Sequence, residues 1–270
     1  MTDHLLRTLA PISDAAWAAI DDEARSRLTA QLAARKLVDF AGPAGWAHSA
    51  VNLGRTLPLE SPSSEVTTLQ RAVLPLVELR AEFTVDREEL DAVDRGASDA
   101  DFAALDTAAR HLARAENHAV FRGYAAAGII GLVEASSHDE IRLESEANRY
   151  PVAVARAVDA LRNAGIGGPY GLGIAPEIFT EIVETTEHGG YPLFDHLAQI
   201  LGGPIVWAPG VGCGVVVSQR GGDFVFDSGQ DIAIGYRQHD ADTVTLYLEE
   251  SFAFRVLEPD AIVPLRTASS

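Results

Sequence analysis

The stretch RGGDFVFDSGQDIAIGYRQHDADTVTLYLEESFAFRVL, residues 220–257, decides the fold class. Two short apolar runs, 223–226 and 231–236, are separated by the turn pair Ser228-Gly229, and a third run, 243–256, alternates. Val244, Leu246 and Leu248 fall on one side, with Thr243, Thr245, Tyr247 and Glu249 on the other. Period two with many β-branched and aromatic residues predicts a half-buried strand. Nothing in the stretch has the pattern of a catalytic motif. It is built to carry a sheet, and a long strand needs partners to cover its faces.

Upstream of it, strands are predicted at 205–207 and 214–218, and a helix at 195–201. A helix opening at Pro176 runs through EIFTEIVETTE to His188-Gly189-Gly190, and a strand covers 170–174. Residues 148–164 predict a helix with Pro151 in its first turn, where the missing N–H is harmless. Phe102, Leu105, Ala109, Leu112, Ala113, Val120 and Tyr124 keep helical spacing and predict a long helix over 99–131; DREELDAVD, 86–94, is a short acidic one. Near the start, Ser13 caps a helix whose buried face is Trp17, Ile20, Ala24, Leu28 and Leu32, and which stops before Asp39-Phe40-Ala41-Gly42-Pro43. The mixture predicts an α+β protein.

Residues 45–85 differ from the rest. They hold Pro58, Pro62 and Pro75, weak alternation, and a polar tip SPSSE between strand-like runs. A connection of this length is functional or bound to something else. The expectation is an extended two-stranded arm, marginal alone in water and sensible if another chain covers it.

Of the 270 residues, 47% are hydrophobic, enough for one large or two modest cores. The net charge of −18 repels phosphate backbones and anionic lipid, so neither nucleic acid nor membrane is expected as a partner. No window approaches the ~20 apolar residues of a membrane span, and MTDHLLRTLAPISD is no signal peptide, which together predict a cytoplasmic protein. The single cysteine, Cys213, rules out an internal disulfide, and its setting VGCGVVV predicts a small buried hydrophobe.

Three motifs invite catalytic readings. GIGGPYGLG (165–173) follows a helix and opens a strand, the reverse of a dinucleotide fingerprint, so it is read as a turn. Glu181, Glu184, Glu187 and His188 sit a turn apart as on di-iron helices, but a matching second motif is missing, and the reading is a solvated acidic helix end. Ser136-Ser137-His138-Asp139 cannot form a triad, because a triad is assembled across a fold. No catalytic residue and no metal site is expected.

Taken in order, LAPISDAAW (9–17), the stretch from Arg35-Lys36 to Asp39, Gly42-Pro43 with Gly45-Trp46, FRG (121–123), GPY (168–170), Tyr191-Pro192, RGGDF (220–224) and GQDIAIGY (229–236) resemble the encapsulins, bacterial nanocompartment shell proteins once taken for linocin-type bacteriocins. The resemblance spans essentially the whole chain. It implies the fold of tailed-phage major capsid proteins, with a discontinuous peripheral domain (1–45, 78–134 and 219–270), an extended loop (46–77) and an axial domain (135–218). It also implies a closed icosahedral shell of about 60 copies of the chain itself. The cargo implied is an enzyme with a terminal targeting peptide, a dye-decolourising peroxidase or a ferritin-like iron protein. Carried onto matching positions, the peptide site would comprise Leu28, Leu32, Arg35, Leu37 and Asp39 with Ile232, Ile234 and Tyr236. The fivefold pore would be lined by Glu184, Thr185, Thr186, Glu187, His188, Gly189, Gly190 and Tyr191. Some relatives hold a flavin against an aromatic residue in the short helix after the loop; Glu88 stands at that position here, so no cofactor is expected. The contrasting expectation, from older views of the family, is a secreted bacteriocin or protease.

Overall fold

The computed structural model describes residues 4–187 and 189–267. Helix α1 (Asp14–Gln31) begins where expected: the Ser13 hydroxyl accepts the Ala16 N–H, and Ala16, Trp17, Ile20, Ala24 and Leu28 are its buried residues. The helices that follow are α2 (Arg87–Asp94), α3 (Ala103–Arg122), α4 (Leu132–Ala135), α5 (Tyr150–Asn163), α6 (Pro176–Glu184) and α7 (Leu193–Leu201). The strands are β1 (Asp39–Ala41), β2 (Ala50–Leu59), β3 (Thr68–Pro75), β4 (Val77–Asp86), β5 (Ile141–Leu143) and β6 (Tyr170–Ile174). They continue with β7 (Ile205–Trp207), β8 (Gly214–Ser218), β9 (Phe224–Ser228), β10 (Ala233–His239), β11 (Thr243–Val256) and β12 (Ile262–Thr267).

Strand β11 organises the first sheet. It pairs antiparallel with β4 over Thr243–Phe252, with β10 on its other edge and with β9 beyond; β1 adds parallel to β9. The sequence reading made this strand half-buried. Instead its middle, from Leu246 to Phe254, is buried on both faces, including Tyr247 and Glu249. Val244, Leu246 and Leu248 face α1 and α3, while Arg80 lies over the Tyr247 ring and pairs with Glu249 on the opposite side. The second sheet has the order β5-β12-β8-β6-β7 and carries α5, α6 and α7.

Two cores result, and two elements join them. The first half of α3 (Leu105, Leu112) packs in the core under α1; its second half (Ala119, Val120, Phe121) packs with the second sheet. Strand β11 does the same, with Val244 to Leu248 in one core and Phe252 and Phe254 in the other.

Four local expectations differ from the structure. The long helix ends at Arg122, short of residue 131, because the chain doubles back. Gly123 takes φ +92°, Tyr124 and Ile129 bridge, and Gly131 approaches the Arg122 and Gly123 backbone closer than any Cβ would allow. The helix opening at Pro176 likewise stops early, at Glu184. Residues 39–41, read as a break, form β1. The C-terminal residues 262–267 and the short run 141–143, for which the sequence suggested no element, pair in parallel as β12 and β5. A boundary at residue 219 therefore does not separate the two sheets cleanly, since β12 returns to the sheet that holds 135–218.

Strands β2 and β3 form a sheet of their own, an antiparallel hairpin bonded to neither larger sheet. At ten residues β2 is about 33 Å long. Leu57 and Leu69 are each 54% exposed, and Leu53, Leu59, Val66 and Val73 are exposed beside them.

Candidate functional site

Helix α1 lies across the first sheet, and the junction of its last two turns with β10 leaves a groove of about 400 Å³. Its floor is apolar because two periodicities meet there. Leu28 and Leu32 are one turn apart on α1, and Ile232 and Ile234 are two apart along the β10 segment, with Leu248 of β11 beneath. Charged pairs rim it. Arg7 meets Asp21 at 2.7 Å and sits 3.9 Å over the Trp17 ring, while Arg25 pairs with Asp22.

Arg35 closes one end. Its guanidinium meets Glu116 at 2.6 Å, Asp231 at 2.7 Å and Glu250 at 3.0 Å, and lies 5.2 and 5.1 Å from the Phe40 and Phe226 rings, which stack on each other. The Glu116 and Glu250 side chains are 0% and 1% exposed. Burial pushes the Glu250 carboxyl well above the ordinary carboxylate range, reinforced by Glu116 and opposed by Arg35. Burial works against the Arg35 charge too, but its carboxylate partners outweigh it and raise the guanidinium pKa further. Beside it, Asn117 accepts the N–H groups of Ala33 and Ala34 and donates to the Gln31 carbonyl, fixing the chain where α1 ends. Arg35 is thus held by three elements at once and is a structural hub as much as a rim residue.

Of the eight residues expected at a peptide site, Leu28, Leu32, Arg35, Ile232 and Ile234 line this groove. Tyr236 lies one pleat beyond Ile234 and packs on the same apolar cluster; its N–H donates to the Leu5 carbonyl, so the N-terminal arm crosses the strand there. Leu37 and Asp39 are elsewhere. Leu37 is 2% exposed and inserts its methyls against Gly171 and Gly173 of β6, where a larger residue on the strand would collide with it. Asp39 accepts the Gly222 N–H at 2.6 Å on the far side of Arg35. The turn after α1 rotates both away from the groove, a twist that spacing along the sequence does not reveal.

The sequence reading passed over Arg7, Asp21, Asp231, Glu116 and Glu250. The first pair carries no pattern. Glu249-Glu250 inside the apolar run TLYLEESFAF was a usable signal, because a carboxyl in a buried strand requires a partner.

The loop between α6 and α7 closes on itself. The Leu193 N–H donates to Thr185, the Glu187 N–H to Tyr191 and the Gly190 N–H to Glu187, and Thr186 bridges Pro192. Gly189 and Gly190 take φ of +99° and +82°. Glu184, Thr186 and Tyr191 are exposed, whereas Glu187 turns to His196 at 3.0 Å and Tyr191 accepts a bond from Gln199. His188, also expected at the pore, lies outside the described residues. Glu181 bonds the Tyr150 hydroxyl, and among the described residues no three His, Cys, Asp or Glu side chains stand where they could share a metal ion. Cys213 is half-buried, and burial pushes its thiol up to about 11.

An exposed two-stranded arm, a helix lying along a long central strand, and a second sheet ending in a closed loop together make a capsid-type subunit. The solved virus-like particle of Pyrococcus furiosus shares this fold at a TM-score of 0.61 and 18% identity, over 91% of this chain and 98% of that one. A solved chain of Mycobacterium phage Bobi shares it at a TM-score of 0.56 and 17% identity, over 87% and 90%. Residues 1–253 match the Linocin_M18 family, described as encapsulating protein for peroxidase. The type 1 encapsulin shell protein of Rhodospirillum rubrum is 49% identical over 99% of this chain and 98% of its own length. The chain belongs to the encapsulin shell protein family.

Proposed function

We propose that this chain is a shell subunit whose copies close into an icosahedral compartment of about 60 members around an enzyme. The observation that carries the reading is the bare hairpin of β2 and β3, whose leucines and valines stand exposed among the described residues. Residues 46–77 act as the extended loop that neighbouring subunits cover. Residues 135–218, joined by β12, form the axial part, with the loop from Glu184 to Tyr191 around the fivefold opening. The remainder is the peripheral part. Exposed Glu184 and the neighbouring helix carboxylates make that opening kinder to cations and neutral molecules than to anions.

The groove between α1 and β10 receives the targeting peptide of the enclosed enzyme, a dye-decolourising peroxidase or a ferritin-like iron protein. Its floor of Leu28, Leu32, Ile232 and Ile234 suits aliphatic anchors, and the rim charges suit the peptide backbone and polar residues. Nucleic acid and membrane are not partners in this reading, and the compartment is cytoplasmic. The alternative of a secreted bacteriocin or protease gains no support, since the named relatives are shell proteins.

Size tests it directly. Purified protein elutes in the void of an ordinary gel-filtration column and gives round, uniform particles in electron micrographs. Elution near 28.8 kDa would sink the reading.

A further inference from the structure

On the other side of the end of α1, the exposed face of α3 lines a second, larger groove of about 690 Å³, with Gln31 of α1 on its wall. Arg110, Arg114, His118 and Arg122 follow one another at four-residue intervals along that face, and all are exposed. Each step advances about 6 Å, so the row is about 18 Å long. Among the described residues none of the three arginines is within ion-pair distance of a carboxylate. This does not reflect a shortage of acids, of which the chain has 39 against 21 bases. On α1, by contrast, Arg25 and Arg27 are both paired, Arg27 to Glu23 and to Asp106 of α3. The one acid lining the groove, Glu177, pairs with none of them.

We infer that this row of arginines docks an acidic segment of the enclosed protein, adjoining its apolar targeting peptide. The inference rests on the reading that the chain encloses a partner through the α1–β10 groove. Three features favour a short acidic peptide. An extended peptide advances about 3.4 Å per residue, so the row spans five or six residues, and alternate carboxylates fall close to its steps of about 6 Å, one step separating Arg110 from Arg114 and two separating Arg114 from Arg122. Arginine binds carboxylates in a fixed two-pronged geometry. The last two turns of α1 separate the grooves, with Leu28 and Leu32 facing one and Gln31 the other, so one polypeptide can cross both. A nucleic acid fits less well, because its charges would overrun the groove onto a chain of net charge −18.

The test uses assembled shells and two fluorescent reporter proteins ending in the same short Leu- and Ile-containing peptide. One carries six Asp and Glu residues just before that peptide, the other six Ser and Gly residues. Reporter per shell is counted after shells are dissociated and reassembled with each reporter at low and at raised salt. The acidic reporter loads roughly tenfold better at low salt, as three exposed charge pairs allow. Arg110→Gln, Arg114→Gln and Arg122→Gln together erase that gain and leave the neutral reporter's loading unchanged. Equal loading of the two reporters, or a gain that survives the triple substitution, overturns the inference while leaving the peptide groove standing. Failure of both reporters to load overturns both readings. Two further outcomes also overturn it: nuclease-sensitive material that co-purifies with the parent shell and vanishes in the variant assigns the row to nucleic acid, and loss of particles in the variant assigns it to contact between copies.

Discussion

Strand β11 and the hairpin of β2 and β3 are made of similar material and meet opposite fates. Both are long and rich in β-branched and aliphatic residues. Strand β11 is covered by α1 and α3 on one face and by Arg80 and its surroundings on the other, while the hairpin leaves Leu57, Leu69 and Val73 in water. Apolar residues in a strand therefore show that a surface will be buried, without showing by which molecule. The exposed pair is marginal alone and becomes stable when further strands or faces are supplied.

That contrast breaks most visibly by shortening the arm. Deleting residues 58–65 leaves both cores intact and abolishes closed particles in electron micrographs and sedimentation; normal particles of unchanged heat resistance would refute an intersubunit role. Next in size, Arg35→Asp costs about 3–5 kcal/mol, because it leaves Glu116 and Glu250 buried without their cation. Leu32→Asp is the cleaner test of the groove. Leu32 is a half-buried part of the groove floor, so shells form while reporter loading falls to background, and unchanged loading would refute the groove.

Phe252→Ala in β11 costs about 3–5 kcal/mol in urea unfolding of dissociated subunits, whereas Leu57→Ala in the arm changes it by less than about 0.5 kcal/mol. Equal effects would mean that the arm is covered within one chain. The smallest effect concerns Glu250. Its folded carboxyl pKa is raised, so the folded state holds a proton that the unfolded state gives up earlier. That contribution is complete below the ordinary carboxyl pKa and is lost as pH climbs through the raised folded value. Glu250→Gln flattens the dependence of the urea midpoint above the ordinary carboxyl range, and an undiminished slope would place the titration elsewhere.

Much of the architecture was legible in the sequence. The Ser13 cap, the apolar spacing of Trp17 to Leu28, the alternation of Val244 to Leu248 and the proline-rich arm each carried a local signal that the fold retains. Of the three-residue strands, β7 was legible from its apolar run Ile205–Trp207, but β1 and β5 were not. Strands β1 and β5 have three residues each and exist only because β9 and β12 offer edges. Half of the groove was legible for the same reason that the helix was: Leu28 and Leu32 share a face by spacing. The positions of Leu37 and Asp39 were not, because the turn after Gln31 is set by the Asn117 side chain, more than 80 residues away.

From its sequence alone this protein is bound to be an acidic α+β chain with a capped first helix, a long alternating strand and an arm it cannot cover by itself. These follow from interactions among residues a few positions apart. Only the folded arrangement decides that β11 is buried on both faces, that Arg35 gathers Glu116, Asp231 and Glu250, and that three arginines without a carboxylate partner among the described residues border the same helix end as the apolar groove. Those outcomes depend on which distant surfaces exclude water from which charges, and no local pattern encodes that.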